Sequence, residues 1–141
     1  FEKFLISNAD PIAVEMINLL AKMTDAKIVL SSSHRKHFDS IKDFEERLEK
    51  TKAYFSKVGL DCERLIGWTP SMWGVRGAEI QSWLDKHNEV THYVIIDDSS
   101  DMLENQMENF VLVSGGDGFS AQNYRDCFKI LGVGLSDLLL F

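Results

Sequence analysis

Positive charge is scarce in this chain. Lys and Arg number 15 against 22 Asp and Glu, giving a net charge of −7 and a pI near 5.0. A protein that coats a nucleic-acid backbone replaces counterions with basic side chains. An extensive nucleic-acid-binding surface is therefore excluded, although an enzyme gripping one terminal phosphate is not. Cysteine is equally sparse: Cys62 and Cys127 lie far apart and match no metal spacing, so they read as reduced thiols of a cytoplasmic protein. The four histidines include one close pair, His34 and His37, but no partner motif that would make it a zinc site. No apolar run approaches the ~18 residues of a membrane span, which leaves no membrane partner. No signal peptide, internal repeat, linker or low-complexity segment is evident. The sequence starts at Phe1 rather than Met, so either its start was processed or its natural N-terminus lies upstream.

What is present fits one globular domain: 141 residues, 45% apolar and 26% charged. Asp10-Pro11 opens a helix, with Asp as N-cap and Pro at the first helical position. Ala13, Ile17, Leu20 and Ala21 carry it to about Met23. Lys27 to Leu30 is a short strand rich in β-branched residues, ending in Ser31-Ser32-Ser33-His34-Arg35. Ile41, Phe44, Leu48, Phe55 and Val58 mark a second helix, with Gly59 as a plausible cap. Arg64 to Gly67 reads as a short strand, and 69–77 as a loop. Ile80, Trp83, Leu84 and His87 mark a third helix. His92 to Ile96 is the clearest strand, ending in Asp97-Asp98-Ser99-Ser100-Asp101. Phe110 to Val113 follows as a strand, then a Gly-rich loop over 114–118. A last helix starts at Ser120 and closes at Gly132. The apolar tail, Leu135 to Phe141, packs on the core. Continuous apolar strands alternating with amphipathic helices predict an α/β fold, a mostly parallel, doubly wound sheet with helices on both faces. Such sheets bind ligands beyond the carboxyl ends of their strands, where Ser31–Ser33 and the Asp97–Asp101 turn both fall.

Three carboxylates within five residues repel one another unless a cation or proton offsets them. Mg²⁺ takes one or two carboxylates and completes its octahedron with water and phosphate, so Asp97, Asp98 and Asp101 are candidate ligands. The alternative is a solvated loop whose acids cap the turn near Met102. The hydroxyls and N–H groups of Ser31 to Ser33 suit phosphate oxygens, and Arg35 offers a phosphate fork. Simple turn chemistry and an ordinary surface cation are the alternatives. Arg76 stands at a helix entrance, where the dipole disfavours a cation, so an anionic ligand or a pairing with Glu79 would explain it. Trp68, Trp73 and Trp83 read as packing residues, because an aromatic platform for single-stranded nucleic acid wants basic neighbours. Ser114-Gly115-Gly116-Asp117-Gly118 lacks the Lys and Ser/Thr of a phosphate-binding P-loop, although Asp117 is placed to contribute to a site mouth.

The order of these motifs resembles the haloacid dehalogenase (HAD)-like phosphohydrolases. The wording of Ala26 to Arg35, Gly67 to Pro70, Arg76 to Leu84 and Tyr93 to Met102 is similar to the small HAD-like domains of Swiss-Army-knife RNA repair proteins. The resemblance runs from about Asp10 to the last helix. It implies a Rossmann-like fold with little or no cap and Mg²⁺-dependent phosphatase chemistry through an aspartyl-phosphate. The implied substrate is a nucleotide or a nucleic-acid terminal phosphate. By position, Ser32 with Ser33 would bond the phosphoryl oxygens, Arg76 would neutralise charge, and Asp97 and Asp98 would hold Mg²⁺ with Asp101 in support. The family also requires an Asp-x-Asp ending a first strand in the sheet centre, and the 141 residues contain no such motif. Asn8-x-Asp10 is a poor substitute, because Asp10-Pro11 is better explained as a helix start. The expectation is that the first strand and its aspartates lie upstream of Phe1. The alternative is a catalytically inactive binding or scaffold module.

Overall fold

The computed structural model describes residues 11–72, 74–114, 118–132 and 137–140. Helix α1 (Pro11–Thr24) ends where Thr24 turns its hydroxyl back to the Leu20 carbonyl, 2.7 Å away. Asp25 then takes a left-handed conformation (φ 58°), and its carboxylate accepts from Arg64 at 2.9 Å. β1 (Lys27–Leu30) follows, then a 3₁₀ turn (Ser33–Phe38) and α2 (Phe44–Ser56). Asp43 caps α2 by accepting from the Glu46 N–H, while Glu45 and Glu46 suit the positive end of its dipole. A 3₁₀ turn (Cys62–Arg64) leads into β2 (Leu65–Trp68). Helix α3 (Arg76–Asp85), β3 (His92–Asp97), a further 3₁₀ turn (Glu104–Asn109) and β4 (Phe110–Leu112) come next. Helix α4 (Ala121–Leu131) carries a reciprocal Ser120–Asn123 capping box and stops at Gly132, whose φ of 76° favours glycine. Last is β5 (Asp137–Leu140).

The fold is α/β, with every strand pairing parallel, in the order β2-β1-β5-β3-β4. Side chains alternate between the two faces, as a pleated strand requires. Ile28 and Leu30 of β1, Val94 and Ile96 of β3, and Leu139 of β5 pack with Ile17 and Leu20 of α1, Phe55 of α2 and Leu131 of α4. Val29 and Ile95 point the other way, onto Ile80 and Trp83 of α3. The strands are nearly continuous apolar runs because both of their faces are covered.

Some expectations change. The apolar tail does not merely rest on the core: its residues 137–140 form β5 in the sheet centre, pairing with β1 on one side and β3 on the other. Helix α3 starts at Arg76, the expected helix entrance, but ends at Asp85, before His87. Asn8, Asp10, Trp73 and Asp117 lie outside the described residues.

Candidate phosphate-handling site

The strand register sets the site's geometry. Val29 and Ile95 both align with Leu140 of β5. Two residues further on, Ser31 and Asp97 are level with each other across the β5 lane, about 9–10 Å apart at two strand spacings. Leu30 pairs with Trp68, so Thr69 joins the same row on the far side of Ser31. By the period-2 alternation, Ser31 and Asp97 share the face of Val29 and Ile95, the face that α3 covers. The sheet's carboxyl edge thus carries the hydroxyls of Thr69 and Ser31 and the carboxylate of Asp97, with the first turn of α3 above them.

The Ser31 and Thr69 hydroxyl oxygens are fully buried and make no hydrogen bond among the described residues. A buried hydroxyl without a partner costs free energy, on the order of 1–3 kcal/mol, and native folds retain few of them. Ser32 is also buried, and its hydroxyl caps nothing. Ser33 is exposed. Sequence reasoning put the weight on Ser32. Continuing the β1 alternation one residue past the strand would have pointed to Ser31.

Arg76 opens α3, and its guanidinium donates to Asp97 Oδ2 at 2.5 Å; the Asp97 side chain is 3% exposed. The pairing is with Asp97, not with Glu79. The other Asp97 oxygen accepts the Ser99 N–H at 2.9 Å. Burial pushes the Asp97 carboxyl above the usual carboxylate range, and the Arg76 hydrogen bond and charge pull the other way. Asp101 has a structural task. Val75 supplies no side-chain cap to α3, and Asp101 does so from the β3 loop. Its Oδ2 accepts the Arg76 N–H at 2.9 Å and its carbonyl accepts the Gly77 N–H at 3.0 Å. Its Oδ1 accepts from the Ser99 hydroxyl at 2.6 Å. Gly77 allows the close approach: a Cβ there would stand 2.7 Å from the Leu103 backbone nitrogen and 2.7 Å from Gln106 Oε1.

Arg35 is not a phosphate fork. It is buried, and all five of its N–H donors are committed within the protein. Nη1 donates to the Ser31 and Ser32 carbonyls, both at 2.8 Å. Nε donates to the Thr69 carbonyl at 3.0 Å, and Nη2 to the Pro70 carbonyl at 3.2 Å and Glu79 Oε1 at 2.8 Å. The second Glu79 oxygen accepts the Met72 N–H at 2.7 Å. Arg35 therefore ties the loop after β1 to the loop after β2. Glu79, one turn beyond Arg76, anchors both to α3. The sequence offered no sign that this arginine faces inward.

As a donor set for Mg²⁺, Asp97 and Asp98 supply hard oxygens, and the exposed Asp98 carboxylate sits beside the buried one. Two carboxylates suit an ion that draws its remaining ligands from water and phosphate. Asp101, with both oxygens in use, does not complete a three-carboxylate cage, and no group of three or more metal-ligating side chains occurs among the described residues. The raised Asp97 pKa fits a site where burial leaves the carboxylate's charge only partly offset.

A parallel α/β sheet whose carboxyl edge gathers hydroxyls, a helix-borne arginine and an Asp-Asp turn has the architecture of a HAD-like domain. More narrowly, the model of the HAD domain in Swiss Army Knife RNA repair proteins matches residues 3–124, and the chain belongs to that family. No curated protein and no solved structure matched the chain. No helix among the described residues is long and apolar enough to cross a membrane.

Proposed function

We propose that the chain is the phosphate-gripping part of a cytoplasmic, Rossmann-like HAD phosphohydrolase acting on a nucleotide or a nucleic-acid terminal phosphate. One observation carries the reading. The unpartnered Ser31 hydroxyl stands level with Asp97 at the sheet edge, under the α3 turn that bears Arg76. In this reading the Ser31–Ser33 hydroxyls and N–H groups bond phosphoryl oxygens, and Arg76 balances their charge across Asp97. Asp97 and Asp98 are the residues that would hold Mg²⁺, with Asp101 supporting through Ser99 and the α3 cap. Bound Mg²⁺ would add charge neutralisation at the phosphoryl oxygens. Attack on phosphorus falls to an aspartate of an Asp-x-Asp motif, giving an aspartyl-phosphate that water hydrolyses. That motif is not among these 141 residues.

The test is phosphate binding by calorimetry, with and without Mg²⁺, in the parent, Arg76→Ala and Asp98→Asn. The parent is expected to bind inorganic phosphate more tightly with Mg²⁺, Arg76→Ala to bind weakly in either condition, and Asp98→Asn to lose the Mg²⁺ effect. Equal Mg²⁺ dependence in Asp98→Asn and the parent removes the metal assignment, and unchanged binding in Arg76→Ala removes the anion site. The 141-residue chain is expected to leave p-nitrophenyl phosphate intact. Turnover by this chain would refute the Asp-x-Asp route.

A second reading, a binding module without catalysis, is favoured by β5. This strand fills the central lane where the resemblance puts the nucleophile strand, and it ends on Leu138-Leu139-Leu140. Phosphate binding without hydrolysis in the longest natural form of the protein would favour it.

A further inference from the structure

We propose that the outer face of α1 is a self-association surface, through which two copies of this chain pair their α1 helices antiparallel about a two-fold axis. The proposal stands apart from the phosphate reading, because it uses none of the same residues. Helix α1 has two apolar faces. Ala13, Val14, Ile17, Leu20 and Ala21 are buried in the core. Ile12, Met16, Leu19 and Met23 form a second stripe, centred about 130° round the helix from the first at 3.6 residues per turn. Ile12 is 69% exposed, Leu19 48% and Met23 52%, while Met16 is half-buried. No other α-helix among the described residues exposes more than one large apolar side chain. Single apolar residues on a surface are ordinary, whereas a contiguous apolar face marks an interaction site.

The stripe has the spacing and the shape of a helix-pairing seam. Its residues are separated by four, three and four positions, the a/d rhythm of a coiled coil. An open cavity of about 370 Å³ on this face is lined by Ile12, Glu15, Met16 and Leu19. These stand at i, i+3, i+4 and i+7, the four-residue hole that receives one knob from a facing helix. All four belong to α1, so the hole opens outward and is not a gap against a neighbouring element.

The charges select a second copy as the occupant. Glu15 and Lys22 are exposed along the flank of the stripe that does not lead into the core. Neither side chain makes an ion pair among the described residues. With the helices antiparallel and Met16 level with Leu19 of the second copy, Ile12 also comes level with Met23, and every seam residue has an apolar partner. Leu19 of each copy then enters the hole of the other, and Glu15 of each faces Lys22 of the other. A parallel pairing sets these charges against the flank that carries the buried Leu20, where they find no partner. The two-fold thus makes the patch complementary to itself. A helix face about 17 Å long is smaller than a standard interface of about 800 Å² a side, so the dimer is a weak, concentration-dependent one. Helix α1 ends beside the start of β1, so antiparallel helices point the two phosphate-handling edges in opposite directions.

The experiment is sedimentation equilibrium of the 141-residue chain from about 5 to about 500 μM, the range in which a small interface associates. The parent is expected to move from monomer towards dimer across that range. Leu19→Glu, an exposed change, should keep the chain monomeric throughout while leaving its melt and its phosphate binding as in the parent. Glu15→Lys and Lys22→Glu should each weaken the dimer about ten-fold, because each sets like charges along the whole seam. The double variant Glu15→Lys/Lys22→Glu should dimerise like the parent, and an equimolar mixture of the two single variants should form the heterodimer. These charge variants carry the test if Leu19→Glu fails to fold. A parent that stays monomeric to about 500 μM overturns the proposal, whether residues 1–10 or a different protein then cover the stripe. A dimer indifferent to Leu19→Glu overturns the surface, and one that the double reversal does not restore overturns the antiparallel pairing. Loss of phosphate binding in the parent bears on the phosphate reading and leaves this one standing.

Discussion

Glu79→Gln is the sharpest perturbation of the frame. The Arg35–Glu79 pair is almost dry, with side chains 2% and 8% exposed and a separation of 2.8 Å. Glutamine keeps the shape and removes the charge. It offers one acceptor oxygen where glutamate offers two, so either Arg35 Nη2 or the Met72 N–H loses its partner and meets an NH₂ group instead. Removing one member of a buried pair costs about 3–5 kcal/mol, because the other charge is left uncompensated. Four backbone carbonyls still surround the guanidinium, which places the expected loss near the low end, about 3 kcal/mol. For a chain of this size that lowers Tm by roughly 10 °C. Urea melts of the parent, Glu79→Gln, Arg35→Met and Arg35→Met/Glu79→Gln would measure it. The double variant should cost little more than either single one, a coupling of about 2 kcal/mol or more. A Glu79→Gln loss below about 0.5 kcal/mol, or additive single effects, would refute the claim that this pair ties the two loops to α3.

Other perturbations separate the remaining roles. Gly77→Ala drives a methyl into the Met102–Leu103 backbone and should destabilise by about 2 kcal/mol while weakening phosphate binding through the displaced Arg76; an unchanged melt would show that the loop yields. Asp101→Ala should cost about 1 kcal/mol as a lost helix cap, whereas Asp101→Asn, which keeps an acceptor for the Arg76 N–H, should cost less than half as much. Burial, aided by Asp61, raises the Cys62 thiol to about 11, and burial with Asp126 raises Cys127 to about 12. The thiolate fraction at neutral pH is then about two orders of magnitude or more below that of a free cysteine. Iodoacetamide labelling of the native chain, followed by mass spectrometry, should be slow at pH 7.5 and still accelerating at pH 10. Labelling of Cys62 at a free-thiol rate at pH 7.5 would contradict the burial.

The strands most legible in the sequence were those whose composition is self-sufficient. Lys27 to Leu30 and His92 to Ile96 are apolar on both faces and end in polar clusters, so their type, position and parallel setting followed from the residues. β5 was not legible, because a short leucine run after glycines looks the same whether it caps the core or completes the sheet. What decides is the pair of vacant edges on β1 and β3, which are set by tertiary packing. Of the site, the Asp97 and Arg76 positions were readable, but their pairing was not. Arg35 was misread for a physical reason: a guanidinium that forks a phosphate and one that clamps backbone carbonyls use the same donors, and only burial separates them. Asp101 posed the same ambiguity between metal ligand and remote helix cap. It resolved only when Val75, an apolar residue, proved to stand at the N-cap of α3.

Because β5 lies between β1 and β3, the order in which the chain is made differs from the order in which the sheet can close. Without residues 137–140, the described strands form two separate parallel pairs, β2-β1 and β3-β4, and a two-stranded unit is marginal in water. A nascent chain would hold two apolar edges apart until its last described strand emerged, and those edges are templates for mispairing with other chains. Folding dominated by such distant pairings is slow. The strand that aligns Ser31 with Asp97 is therefore also the one whose arrival sets when the molecule becomes a single cooperative unit.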